Sequence, residues 1–169
     1  MKSKLLLLPV ALLCAFAAHA QNSAHANLMD ASGKTVGTAT LTQTKGGVQI
    51  QASLMGLPPG THAIHIHNVG KCEAPGFTTA GGHFNPDNKK HGMDNPDGMH
   101  AGDLPNFTAA PDGTATLNIT AEHVTLGPGD HSLFHDGGTA LVIHGMADDY
   151  KTDPAGNAGP RIACGVIEK

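Results

Sequence analysis

Aromatic residues are scarce in this 169-residue chain: tryptophan is absent, tyrosine occurs once and phenylalanine five times. Arginine also occurs once, at position 161, and no basic run is present. With a formal net charge of −4, that lack argues against nucleic acid as a partner. No long stretch carries the 3.6-residue apolar period of an amphipathic helix, and no internal repeat is visible. No apolar run reaches the ~20 residues that a membrane-spanning helix needs. Gly33-Lys34-Thr35 lacks the upstream glycine of a phosphate loop. Against this sparse background stand 12 histidines, so the side-chain chemistry has been placed in nitrogen donors.

The first twenty residues read as an export signal. Lys2 and Lys4 give a basic start, Leu5 to Phe16 an apolar run, and Ala18-His19-Ala20 a small-residue cleavage site before Gln21. Cys14 hints at lipoprotein processing, but Leu13 stands where a small residue should precede the cysteine. The expectation is a soluble exported domain over residues 21–169, with no stable membrane association. Loss of Lys2 and Lys4 takes the formal charge from −4 to −6. Two of the three cysteines remain, Cys72 and Cys164. An even pair in an exported chain reads as a disulfide, closing a loop of ~90 residues and stabilising by roughly 4 kcal/mol; two buried thiols are the alternative.

Short runs alternate with period two between glycines and prolines, the signature of antiparallel β structure. In Gly47 to Leu54 the residues Val48, Ile50, Ala52 and Leu54 take one face. In Gly113 to Thr120 the inward set is Ala115, Leu117 and Ile119, after a Pro111-Asp112-Gly113 turn. Further strands are predicted near 24–30, 35–42, 61–67, 139–145 and 161–167, giving a β-sandwich or flattened barrel. Residues 68–112 hold five of the 11 prolines and show no obvious element; residues 146–160 are similar but shorter. Loops of that length in a compact domain are functional or disordered.

Thr61 to His67 reads Thr-His-Ala-Ile-His-Ile-His. On a strand, His62 shares a face with Ile64 and Ile66, while His65 and His67 point the other way, ~6.5 Å apart at Cα. That spacing lets two imidazoles chelate one ion; His62, on the apolar face, reads as a hydrogen-bonded core histidine. Downstream, His83, His91, His100 and Asp103 supply three nitrogens and one oxygen, a complete tetrahedral zinc set. His144 ends the run Ala-Leu-Val-Ile-His and faces away from Leu141 and Ile143. Sharing His83 gives a second ion four nitrogens, from His65, His67, His83 and His144, a set that suits copper.

These residues resemble the copper/zinc superoxide dismutases, of the exported bacterial kind. The motifs are Gly60-Thr-His-Ala-Ile-His-Ile-His67, Gly70-Lys-Cys72, Gly82-His-Phe-Asn-Pro86, His91, His100-Ala-Gly-Asp103, His144-Gly-Met-Ala-Asp148 and Gly156-Asn-Ala-Gly-Pro-Arg-Ile-Ala-Cys-Gly165. They occur in family order across essentially the whole mature chain. The resemblance implies an eight-stranded antiparallel Greek-key β-barrel with two long functional loops, a metal and disulfide loop and an electrostatic loop. It implies one copper ion held by His65, His67, His83 and His144. It implies one zinc ion held by His83, His91, His100 and Asp103, with His83 bridging the two. Asp148 matches a carboxylate that hydrogen-bonds one copper histidine and one zinc histidine, and His62 is expected beside it as a supporting residue that binds no metal. Cys72 and Cys164 match the family disulfide.

The implied reaction is the disproportionation of superoxide to O₂ and H₂O₂, with Arg161 guiding the anion and His83 moving a proton. Lys151 is a candidate steering charge, and Lys71, Lys89 and Lys90 are weaker ones. The implied location is the periplasm. A non-catalytic exported metal-binding module on the same fold is the alternative; Arg161, Asp148 and the complete copper set speak against it. Ala155 stands where a hydroxyl residue often lines the anion channel. Residues 132–139 lack the apolar dimer-contact sequence of eukaryotic members, so the oligomeric state does not carry over and a homodimer stays open. His25, His123, His131 and His135 match no ligand position. Asn106-Phe-Thr108 and Asn118-Ile-Thr120 are glycosylation sequons without expected meaning in a bacterial cell.

Overall fold

Alternating burial organises the first three strands. β1 (Ser23–Asp30), β2 (Thr35–Thr44) and β3 (Gly47–Leu54) bury every second side chain over most of their length. Val48, Ile50, Ala52 and Leu54 face inward as their period requires. The computed structural model describes residues 22–169; the expected export signal, Cys14 included, lies outside them. Six more strands follow: β4 (Gly60–His62), β5 (Ile64–His67), β6 (Phe107–Ala109), β7 (Ala115–Ala121), β8 (Ala140–His144) and β9 (Arg161–Val166). The only helical element among the described residues is a 3₁₀ turn, Thr78–Ala80.

Seven strands form one antiparallel sheet in the order β5-β8-β9-β1-β2-β3-β7, and β4 pairs with β6. The 61–67 strand expected as continuous is interrupted at Ala63, where the chain passes from the β4–β6 pair to the β5–β8 pair. Ala63 remains tied at the crossing, donating to Met146 O and accepting from His144 N. Counted as one interrupted strand, β4 and β5 make eight strands of nine segments, the expected barrel. The turn joining β6 and β7 is held by Asp112, whose Oδ1 accepts the Thr114 N–H and hydroxyl at 3.0 and 2.7 Å.

One apolar cluster fills the interior, with Leu28, Leu41, Ile50, Ile64, Ile66 and Ile143 among its most buried members. A second, smaller cluster sits on the other face of β8. There Ala140 and Val142 pack against Phe77, Ala80 and Cys164. β8 is thus buried on both faces, which explains its unbroken apolar run. The cover on its outer face is the segment following Cys72, joined to β9 by the Cys72–Cys164 disulfide across 92 residues, with Cα atoms 5.6 Å apart.

The long segment 68–112 is not without structure. Its end supplies β6, too short to show a period, and two of its residues pair with the outer edge of β5: His83 opposite His67, and Asp103 opposite His65. Ile66 N donates to Gly102 O at 2.9 Å, and Phe84 N to Ile66 O at 2.8 Å. Gly102 must be glycine, because a Cβ there would overlap Ile66 O. The loop therefore behaves as extra edge cover for β5, and it delivers donors to the histidines that β5 carries.

Candidate metal centre

All seven residues expected as ligands are buried and gather in one place. β5 presents His65 and His67, β8 ends in His144, and the long loop brings His83, His91, His100 and Asp103. A register irregularity between Ile143 and His144 interrupts the β8–β9 ladder at the position where β8 ends in His144.

Each imidazole of the first set uses one nitrogen on a protein partner and leaves the other open. His65 Nε2 donates to Asp148 Oδ2 at 2.8 Å, His67 Nδ1 to Gly81 O at 2.9 Å, and His144 Nδ1 to Gly159 O at 3.3 Å. His83 directs Nδ1 toward Asp103 Oδ1, 2.8 Å away. The nitrogens left over are His65 Nδ1, His67 Nε2, His83 Nε2 and His144 Nε2. All four are buried without a hydrogen-bond partner, and the four rings offer donor atoms within 4.8 Å of one another. A buried polar atom left unpaired costs about 1–3 kcal/mol. Four converging lone pairs are the donor set of a nitrogen-ligated metal such as copper.

The second set is built around Asp103 Oδ1. His83 Nδ1, His91 Nδ1 and His100 Nδ1 lie 2.8, 3.1 and 3.2 Å from it, and His83 Nδ1 is 3.4 Å from His100 Nδ1. Donors on a tetrahedral zinc with bonds of ~2.0 Å stand roughly 3.3 Å apart. These separations therefore suit ligands around one ion, and two Nδ1 atoms facing each other suit it better than they suit a hydrogen bond. Backbone N–H groups of Gly92 and His100 hold Asp103 Oδ2 at 2.9 and 3.0 Å, which turns Oδ1 toward the histidines. Residues of both sets thus fit a copper and a zinc sharing the His83 ring, one nitrogen toward each.

Asp148 joins the two sets. Its Oδ2 accepts from His65 and its Oδ1 from His91 Nε2 at 2.9 Å, fixing both rings. The carboxylate is itself held by residues the sequence reading did not single out. Asn106 bonds the Asp148 backbone reciprocally, through Nδ2 to O and Oδ1 from N, both at 2.9 Å. The Tyr150 N–H donates to Asp148 Oδ1, and the Tyr150 hydroxyl accepts from Asn106 N, each at 2.7 Å. Gly156, at φ +62°, leaves room for the pair: a Cβ would overlap Asp148 Oδ1. Asn106, part of a sequon in the sequence, acts here through its side-chain amide on the Asp148 backbone, a pairing across 42 positions that residue type does not reveal.

Electrostatics follow from burial. Desolvation lowers His67 to about 2, and His83 and His144 to about 4, with neighbouring imidazoles adding to the effect. His65 is lowered for the same reason. Neutral imidazole is the form that binds a metal. For His91 burial again favours the neutral ring, but hydrogen bonds to Asp103 and Asp148 prevail and raise it to about 9. Burial alone would raise Asp103 and Asp148; the histidines bonded to them hold both well below the usual carboxylate range.

His62 lies behind the first set, fully buried, with Nδ1 2.8 Å from His144 O and Nε2 2.7 Å from Pro58 O. It braces the backbone of His144 and points no nitrogen at the cluster. Arg161, opposite His144 in the β8–β9 ladder, donates from Nη1 to Phe77 O and from Nη2 to Gly81 O, both at 2.6 Å. Gly81 O also accepts from His67, so arginine and histidine share one anchor on the segment that the disulfide holds. Among the candidate steering lysines, Lys90 is engaged with Asp153 at 3.0 Å. His131 pairs with Asp87 and the His123 carbonyl, and His135 stacks on Phe84; neither joins the cluster.

A family profile described as copper/zinc superoxide dismutase matches residues 35–167. The chain belongs to that family. It is 49% identical over 160 residues to a Cu-Zn superoxide dismutase of Aquifex aeolicus strain VF5, covering 94% of this chain and 95% of the relative. A Cu-Zn superoxide dismutase of Caulobacter vibrioides is 44% identical over 149 residues, 86% of each chain. Among solved structures, the Cu/Zn superoxide dismutase of Brucella abortus aligns with a TM-score of 0.69 at 31% identity, covering 86% of this chain and 99% of that one. A SOD-like protein from Bacillus subtilis aligns with a TM-score of 0.82 at 41% identity, covering 84% and 96%. Membership of the superoxide dismutase family implies copper and zinc as cofactors. The non-catalytic alternative is not favoured.

Proposed function

We propose that this chain disproportionates superoxide, two O₂⁻ and two H⁺ giving O₂ and H₂O₂, with copper on His65, His67, His83 and His144 and zinc on His83, His91, His100 and Asp103. The observation that carries this reading is the convergence of four buried, unpartnered imidazole nitrogens. When bound, copper supplies a one-electron couple and zinc a fixed positive charge that keeps hold of His83.

The protein's own groups do the rest. Arg161 uses two of its five N–H donors on backbone carbonyls, and the remaining donors are available to dock one anion. Its charge lies close enough to His67 and His144 to disfavour their protonation. His83 Nε2 takes a proton after the first superoxide is oxidised and gives it to the second as that is reduced; solvent supplies the other proton. Asp148 keeps His65 and His91 oriented throughout. His62 and the disulfide act at one remove, by holding the backbone of His144 and the segment that anchors Arg161.

A disulfide fits an exported protein. We place the chain in the periplasm as one domain, residues 21–169, released from a signal at 1–20. Superoxide decay is measured with protein loaded with copper and zinc, dialysed against chelator, and compared with the metal-free form. Fast decay that slows as ionic strength rises is expected for a guided anion. Negligible decay with one tightly bound copper per chain would point to storage instead.

A further inference from the structure

Outside the loop that carries His91 and His100, a cleft of about 170 Å³ is lined by Met93, Met99 and His123, with Asp103 and Glu122 beside them. An adjoining cleft of about 410 Å³ has the same two methionines and the same histidine in its wall, together with Asp87 and Lys89. Met93 and Met99, six positions apart in sequence, flank a turn in which Asn95 N donates to Gly92 O and Gly98 N to Asn95 O, at 3.1 and 2.9 Å, and both line the two clefts. His123 arrives from the segment after β7, its carbonyl held by His131 Nδ1 at 2.6 Å. Among the described residues its ring has no hydrogen bond, ion pair or ring contact. Met93 is 38% exposed, so neither it nor His123 belongs to the core.

Thioether sulfur is a soft, polarisable donor that selects monovalent copper, and imidazole completes such sets. Zinc prefers thiolate, imidazole and carboxylate, four at a time, and two neutral thioethers suit it poorly. The carboxylate of Glu122 lies at the edge of the smaller cleft, where it favours a cation; in the larger cleft Asp87 is engaged with His131 and stands with Lys89. We propose that Met93, Met99 and His123 form a Cu(I)-binding site on the outer face of the zinc loop, separate from the four-imidazole cluster. It holds a third metal ion per chain and uses none of the residues assigned to the dismutase reaction as its principal donors.

The test uses protein already carrying one copper and one zinc, reduced under anaerobic conditions, so that the first copper position is filled. Cu(I) is then offered in competition with bicinchoninate, and the methionine methyl groups are followed by NMR. One further Cu(I) per chain is expected, with the methyl resonances of Met93 and Met99 moving and those of Met29, Met55 and Met146 staying in place. Met93→Leu with Met99→Leu is expected to weaken this equivalent at least tenfold while superoxide decay is unchanged; Met55→Leu is expected to retain it. No additional equivalent, shifts at other methionines, or full binding by the double variant would overturn the proposal. Because the first copper is in place beforehand, failure here leaves the dismutase reading standing.

Discussion

Strands β1, β2, β3 and β7 are joined by long ladders and alternate buried with exposed residues, whereas residues 68–112 contain only one short strand and a 3₁₀ turn. The sheet is ordered by apolar burial that each strand contributes along its whole length. The loop is ordered by a disulfide, by backbone bonds to β5, and by hydrogen bonds among histidines and carboxylates. The difference teaches where the metal matters. The strands ordered by alternation, β1, β2, β3 and β7, carry none of the open nitrogens; His83 of the loop carries one, and the other three stand on β5 and β8, the strands the loop and its disulfide cover.

Breaking the loop's covalent tie should have the largest effect. Replacing Cys72 and Cys164 together by serine is expected to cost about 4–5 kcal/mol, by the chain-entropy relation for a loop of this length. It should also slow superoxide decay in metal-loaded protein, because Arg161 is anchored on the segment the bond holds. Urea unfolding gives the first quantity and the decay rate the second; an unchanged rate would separate the disulfide from Arg161.

Breaking the sheet should leave the site intact. Ile50→Ala, in the main core, is expected to cost about 3 kcal/mol through lost burial and the cavity left behind. Copper and zinc content and the copper spectrum should not change. A loss of metal would show that sheet and site are not independent.

Arg161→Ala sharpens the contrast within the site. Superoxide decay is expected to slow tenfold or more, about 1.4 kcal/mol in barrier, with metal content intact. An unchanged rate in fully metallated protein would remove Arg161 from the mechanism.

The pH profile of the metal-free protein tests the same comparison by its sign. His67, His83 and His144 bind protons at about 6.5 when unfolded, but only at about 2 to 4 when folded. The unfolded state therefore takes up more protons as pH falls from 6.5 toward 4, and stability falls with it. His91, raised to about 9, has the opposite sign: its contribution is complete below 6.5 and is lost as pH rises through 9. Stability should peak near pH 6.5 and fall more steeply on the acid side. Urea midpoints that stay flat between pH 4 and 6.5 would contradict this.

Much of the sheet was legible because period two is a property of neighbouring residues. Val48, Ile50, Ala52 and Leu54 announce their face directly. β6 was missed because Phe107–Ala109 is too short for a period to register. The break at Ala63 was missed because alternation runs through it, and only the change of pairing partner reveals it. The residues proposed as ligands were legible because imidazole and carboxylate at those spacings have few other uses, and the structure gathers them in one place. The roles of Asn106, Tyr150 and Gly156 were not, since they depend on backbone atoms brought close by the fold and on vacant space.

The central claim is that one ring, His83, serves both donor sets. Its most direct test is the EPR spectrum of protein carrying copper at the four-nitrogen position and cobalt(II) in place of zinc. A shared His83 imidazolate predicts that the two paramagnetic ions couple and that the isolated Cu(II) signal is lost, returning when His83 is replaced by alanine. A full Cu(II) signal alongside bound cobalt in the unsubstituted protein would contradict the claim.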